Sequence, residues 1–374
     1  MSIPSRRRLQ MPVVFAPPAG NHPLAISSFR AWRLREPVSG RRYTIVKLTA
    51  QGGATGYGEG GPVPGADFAE ARTAVIGRRA TESEFIRHRL AALPCLEAAV
   101  SNAMLDLVSR SKGIPIYQYL GGPTRFKARL MGQLEASDEA ASLDRARRAG
   151  LRAFTMAVPP RDSMALLQDW VDRVRKRVSD MQTRGGEGSE WVLDGAASLT
   201  PGDAATIAVA LEKVHPIWFD EPIAALTTDA LAKIVDQSVM PIGLGRNVTD
   251  IAVFQNLLRF GSVNVLRPAL GLNSITKIKR MAALAESHYV AIAPYHSGGP
   301  VGTVAGIHLA AALPNSFVQE VPVPAADGDA AMRAEITGGN RETADGGFAA
   351  LLNHPGLGFD VNERALDTYS EERI

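Results

Sequence analysis

Between Trp191 and Ser297 a short apolar run that ends in a polar or charged residue recurs about every 26 positions. Val192-Leu193 ends at Asp194, Ile217-Trp218-Phe219 at Asp220, and Ile242-Gly243-Leu244-Gly245 at Arg246. Residues 263–268 lead in the same way to Ala269, and residues 290–294 to Tyr295-His296. Segments of helical periodicity, such as 204–214 and 275–287, separate the runs, so the pattern predicts repeating βα units. Strands joined through single helices pair in parallel by right-handed crossovers, and a regular series of them closes into a barrel. The C-terminal ends of the strands then converge on one mouth. That geometry predicts that Asp194, Asp220, Arg246, Arg267, Ala269, Tyr295 and His296 gather there. Alternation along a strand puts Val192 with Asp194, Trp218 with Asp220, Leu244 with Arg246, and Arg267 with Ala269 on one face, read as the barrel interior.

The flanking segments follow a different pattern. Residues 26–35 and 43–49 alternate as strands, and Gln51-Gly52-Gly53 supplies a hairpin turn before Tyr57. Helical periodicity follows over 67–76, 82–93 and 96–111, so the opening third is α+β. Gly121-Gly122-Pro123 breaks the pattern before the first two barrel strands, at 128–131 and 153–157. Helices are expected over 140–149, 163–178 and 304–312, with an eighth strand at 317–320. The chain thus divides into a tail (1–23), an α+β domain (24–125), a (β/α) barrel (126–321) and an extension (322–374) that returns to the first domain.

With 374 residues, 45% of them hydrophobic, the chain has material for a large core and for two domains. No apolar run approaches the roughly 18 residues that cross a bilayer, so a soluble, cytoplasmic protein without a membrane partner is expected. The formal charge of +3 is spread along the sequence. Clusters such as Arg173 to Arg177 lie on a predicted outer helix without interleaved aromatics, which argues against a nucleic-acid partner. The single cysteine, Cys95, excludes an internal disulfide and a thiolate metal cluster. At the head of an apolar helix it reads as a small buried hydrophobe. Arg6-Arg7-Arg8 precedes an apolar stretch too short and too proline-broken for an export signal, so a tail is expected there.

Six strings, each short, occur in order along the chain: Gly56-Tyr57-Gly58-Glu59, residues 113–122 (GIPIYQYLGG), Asp220-Glu221-Pro222, residues 293–300, residues 311–315 (AALPN), and Pro355-Gly356-Leu357-Gly358. By these the chain resembles the enolase superfamily, in its mandelate racemase and acid-sugar dehydratase branch. The resemblance implies a modified TIM barrel covered by an α+β capping domain built from both chain ends. It implies Mg²⁺ held by acidic residues ending the third, fourth and fifth strands, where the ion stabilises the enediolate formed when a base removes the proton α to a carboxylate. Lysines in a Lys-x-Lys pair ending the second strand, or a histidine ending the seventh strand with an aspartate ending the sixth, are the bases that it implies. Homo-oligomers are implied as well.

Carried over residue by residue, the resemblance leaves most of that machinery without a counterpart. Asp194 and Asp220 match the first two metal positions, but the third is Arg246, a cation. Thr155 and Ala157 stand where the lysine pair would be, and Ala269 where the aspartate would be. The histidine position falls on Tyr295 or, one residue on, His296. The expectation is therefore a superfamily member that has lost the standard Mg²⁺-dependent chemistry, has no cofactor, and binds a small carboxylate or sugar acid. Arg246 and Arg267 would be the counter-charges of Asp194 and Asp220 and the groups that meet a ligand. The alternative is an active lyase or isomerase that uses Mg²⁺ at Asp194 and Asp220 with Tyr295 and His296 as proton carriers. His296 could equally be an exposed loop residue after Pro294. Glu221 is expected to point away from the mouth, and Trp218 to pack in the barrel.

Overall fold

The computed structural model describes residues 20–135, 137–224 and 227–373. The arginine-bearing start of the chain, with its expected tail, lies outside them. Three antiparallel strands open the fold: β1 (Ile26–Arg35), β2 (Arg42–Ala50) and β3 (Thr55–Gly60). The β2–β3 turn falls at the glycines expected, with Gly53 at φ +84°. Helices α1 (Phe68–Val75), α2 (Ser83–Arg89), α3 (Pro94–Ser111) and the short α4 (Ile116–Tyr119) follow. Glycines alternate along β3 because α3 lies directly against it: a Cβ on Gly56, Gly58 or Gly60 would collide with the α3 backbone. The same alternation turns Tyr57 and Glu59 to the other side of the strand, towards the barrel and the end of the chain.

The barrel then runs through β4 (Lys127–Gln133), α5 (Glu139–Arg148), β5 (Ala153–Ala157), α6 (Leu167–Gly185), β6 (Glu190–Asp194), α7 (Pro201–Leu211), β7 (Phe219–Asp220) and α8 (Thr228–Val235). It continues through β8 (Ile242–Leu244), α9 (Ile251–Arg259), β9 (Val265–Leu266), α10 (Ile275–Glu286), β10 (Ala291–Ile292), α11 (Pro300–Ala312) and β11 (Gln319–Pro322). The sheet order is β10-β9-β8-β7-β6-β5-β4-β11, all in parallel, and an isolated bridge between Ile292 and Ser316 closes the ring. The fold is a TIM-type barrel beneath a capping layer. Strands β7, β9 and β10 are shorter than the apolar runs that announce them. Pro222, Pro268 and Pro294 follow them closely, and a proline cannot donate to a ladder. Two helix starts also differ from expectation: α6 begins at Leu167 rather than 163, and α11 at Pro300 rather than 304, with proline in its first turn.

Met131, Ala153, Val192, Trp218, Val265, Ala293 and Val318 fill the barrel interior. Leu244 does not join them, contrary to the alternation expected. On β8 it is Gly243 that faces inward, because a Cβ there would come within 2.5 Å of Trp218. Leu244 therefore points into the outer layer with the helices. Gly245, at φ +126°, breaks the alternation and returns Arg246 to the interior.

After the barrel, α12 (Asp327–Ile336) leads to β12 (Phe348–Ala350), which pairs antiparallel with β4. The last elements, α13 (Glu363–Tyr369) and β13 (Ser370–Arg373), lie on the opening strands, β13 pairing with β1 from Trp32↔Arg373 to Leu34↔Ser370. Glu363 accepts from Arg30, Lys47 and the Tyr57 hydroxyl, and Asp367 from the Trp32 indole at 2.8 Å. Among the described residues no helix is long and apolar enough to cross a membrane.

Candidate functional site

Asp194 and Asp220 sit side by side in register at the ends of β6 and β7. Between and above them lies the guanidinium of Arg246. Its Nη1 donates to Asp194 Oδ2 at 2.8 Å, and its Nη2 pairs with Asp220 Oδ2. Arg267, one strand further, is fully buried and donates through Nε to Asp220 at 3.0 Å while its Nη2 pairs with Glu320 of β11. Asp220 also accepts from the Trp218 indole at 3.0 Å. Three carboxylates and two guanidinium groups thus form one chain across the interior, from Asp194 through Arg246, Asp220 and Arg267 to Glu320. Burial raises the Asp194 and Glu320 carboxyls above their usual range while the arginines pull them down. Burial works against the charge on Arg246, but Asp220 and Asp194 outweigh it and hold that guanidinium far above its ordinary value.

Glu221 explains why Arg246 reaches its place. Held at φ +39°, it turns its carboxylate away from the aspartates and accepts from the backbone N–H groups of Gly245 at 2.6 Å and Arg246 at 2.7 Å. That clamp fixes the turn after β8 from which the Arg246 side chain springs. On the open side the guanidinium faces the Tyr295 ring, 4.6 Å from its centroid. The Tyr295 hydroxyl accepts from Gln133 at 3.1 Å. A cavity of about 270 Å³ opens above this layer, lined among others by Arg42 and Cys95 of the capping layer and by Arg246, Asn247, Tyr295 and Ser297. Cys95, expected to be buried, is half-buried at its edge and packs against the core of the capping layer.

The structure therefore brings together six of the seven residues expected at the mouth, Ala269 lining the cavity beside Arg246 and Tyr295, and His296 is not among them. It is neither at the aspartates nor exposed: it is 2% accessible and lies behind the mouth, under the cap. Its Nε2 contacts the Gly299 carbonyl at 2.9 Å, so that nitrogen carries the proton, and burial pushes its pKa down to about 4. Nearby, the Glu59 carboxylate accepts from Gly299 N and Gly302 N at the start of α11, with burial raising its pKa to about 7. Thr155 is buried, its hydroxyl accepting from Leu134 N at 3.3 Å. Ala157 offers no polar side chain. Glu221 points away from the aspartates as expected, whereas Glu320, Gln133 and Glu59 are polar groups to which sequence reasoning gave no role. Glu320 alone had a usable signal, since it lies on the eighth strand that the βα period predicts.

The chain matches the family described as enolase C-terminal domain-like over residues 138–365. It is similar to the D-galactonate dehydratase of Verminephrobacter eiseniae, with 27% identity over 271 residues, 71% of either chain. It is also similar to that of Ralstonia pickettii, with 26% identity over 280 residues, 74% of this chain and 73% of the relative. Among solved structures, a mandelate racemase/muconate lactonizing enzyme-like protein from Rubrobacter xylanophilus superposes with a TM-score of 0.83 at 23% identity, over 94% of this chain and 98% of its own.

These matches overturn the expectation that the protein has no cofactor. The superfamily they point to is the one whose resemblance implies Mg²⁺ at the third, fourth and fifth strand ends, so Mg²⁺ is the cofactor to which they point. Asp194 and Asp220 are the carboxylates at those ends. With Arg246 donating to both of them, and with Trp218 and Arg267 on Asp220, the arrangement described does not fit the ion. Among the described residues no group of three or more His, Cys, Asp and Glu side chains is placed to hold a metal.

Proposed function

Because the chain belongs to the enolase C-terminal domain-like family, in the acid-sugar dehydratase branch of the enolase superfamily, we propose that it binds a small carboxylate at its barrel mouth. The ligand is of the hydroxy-acid or sugar-acid class, and the standard machinery for removing an α-proton is absent. The observation that carries this is the guanidinium of Arg246, held between the fully buried Asp220 and the partly buried Asp194 beneath a cavity. Its side chain keeps 10% of its surface accessible there, at the wall of the cavity. A carboxylate in the cavity would meet this cation, and a charge-assisted hydrogen bond of that kind is about twice as strong as a neutral one. Proton abstraction needs a base within hydrogen-bond reach of the substrate carbon. Thr155 and Ala157 supply none, and His296 is turned to a backbone carbonyl under the cap.

A second reading has one observation in its favour. Tyr295 lines the cavity beside Arg246, and the relatives are named D-galactonate dehydratases, so Tyr295 could carry a proton in an altered dehydration. One experiment separates the two. The purified protein is titrated calorimetrically with D-galactonate and with a panel of sugar acids, Mg²⁺ present throughout, and the same mixtures are assayed for keto-acid product. Saturable binding without product is expected. Product formation that Tyr295→Phe abolishes would replace the first reading by the second, and absence of all binding would remove both.

A further inference from the structure

Outside the mouth, a second cavity of about 310 Å³ lies where the capping helices meet the barrel. Arg87 of α2, Glu97 of α3, Asp250 at the head of α9 and Lys277 of α10 face it. Most of its charged groups are already committed. Arg87 donates twice to Glu84, and Asp250 caps α9 by accepting from Ala252 N at 2.8 Å. On α10 itself, Lys279 donates to the Leu120 carbonyl at 2.7 Å and Arg280 pairs with Glu84. Lys277 differs: among the described residues it makes no hydrogen bond or ion pair. Glu97 is 3% accessible, with one carboxylate oxygen bonded by the Ser101 and Ser274 hydroxyls and the other, Oε2, without a partner.

We propose that Lys277 is an acylation site, whose Nζ takes the acyl group of a small acyl phosphate admitted to this cavity. The cavity has room for the added group, which an amine packed against a wall would lack. Arg87, bonded to Glu84 through Nε and Nη2, has its Nη1 left to meet the phosphate end. In the step, the neutral Nζ attacks the acyl carbon, the N–C bond forms as the C–O bond to phosphate breaks, and inorganic phosphate leaves. The proton lost from nitrogen passes through solvent to the leaving group. No oxidant or reductant is involved. The electrostatics run the same way. Burial pushes the Lys277 ammonium below the ordinary lysine value; Glu97 and Asp250 oppose this and Arg87 adds to it. The amide product carries no charge, so acylation relieves a half-buried cation of its desolvation cost. Glu97 is left without a counter-charge, but burial already raises its carboxyl, and it can take up a proton.

The test is competition among lysines of one chain. The full chain is treated with acetyl phosphate at several pH values, and acetylation of Lys277 is compared by peptide mass spectrometry with that of Lys213 and Lys233, which are exposed. Several-fold faster modification of Lys277 is expected near about pH 7, and the lead should vanish near about pH 10.5, where ordinary lysines lose their protons too. The lead should also vanish in urea. Equal or slower modification of Lys277 in the folded chain overturns the proposal, as does a lead that survives unfolding. Arg87→Gln, at a partly exposed position, should slow Lys277 near about pH 7 and leave Lys213 unchanged. A Lys277 rate that does not move would remove the cavity from the explanation.

Discussion

Arg246 spans the end of β7 to bond Asp194 on β6, 2.8 Å away, while bonding Asp220 on its way. Its side chain is 10% accessible and that of Asp220 is fully buried. Arg246→Ala leaves two carboxylates facing each other with one cation fewer. Breaking a buried pair in this way costs on the order of 3–5 kcal/mol, so the variant should unfold at clearly lower urea concentration at neutral pH. A variant as stable as the parent would show that the pairing has little energetic weight.

Arg246→Glu places a third carboxylate at the end of β8, in line with Asp194 and Asp220. Mg²⁺ favours oxygen ligands and often needs only one or two protein carboxylates with water. The variant should therefore bind Mg²⁺ more tightly than the parent in calorimetric titration, and chelator should reverse the effect. No gain in affinity would mean that Arg267, still bonded to Asp220, keeps the site closed to the ion.

The buried acid and the buried histidines act oppositely on stability. Burial raises the Glu59 carboxyl from 4.5 to about 7, so between these values the folded chain holds more protons than the unfolded one and stability falls as pH rises. His296 and His308 are pushed down by burial from 6.5 to about 4, so there the unfolded chain holds more protons and stability is lost as pH falls. In the parent the two trends partly cancel. Glu59→Gln removes the first, so it should lose stability more steeply than the parent on acidification from pH 6.5 to 4.5. Denaturation midpoints measured at steps of pH would show it, and parallel curves would rule it out.

Gly243 is pressed against the Trp218 ring, where a Cβ would come within 2.5 Å of one ring atom and 2.6 Å of Asp220 Oδ1. Gly243→Ala should cost roughly 1–3 kcal/mol, typical of overpacking a tight core. It should also disturb the indole bond to Asp220, visible as a change in tryptophan fluorescence. An unchanged melting temperature with an unchanged emission spectrum would count against the packing described.

How far the sequence could be read depended on whether a residue's place follows from period or from contact. The equal spacing of Asp194, Asp220 and Arg246 makes their convergence a matter of barrel geometry, and they do converge. Leu244 failed because one glycine yields to the bulk of Trp218 and the next reverses the chain, an event between strands that alternation within a strand does not register. His296 failed because its surroundings come from β3, far away in sequence, whose Glu59 occupies the head of α11. The Glu320–Arg267 pair was hidden for a related reason: it joins β9 to β11 across the interior, and only closure of the ring makes them neighbours.

Strand β13 covers the free edge of β1, although the two strands lie at opposite ends of the described chain. On a ribosome, β1 emerges among the first elements, and its hydrogen-bonding edge stays bare until residues 370–373 follow the whole barrel out. A chain clipped or stalled before Ser370 would carry an exposed edge strand, a ready template for pairing with another copy. Residues 370–373 thus cover an edge of β1 that would otherwise be open to edge-to-edge pairing.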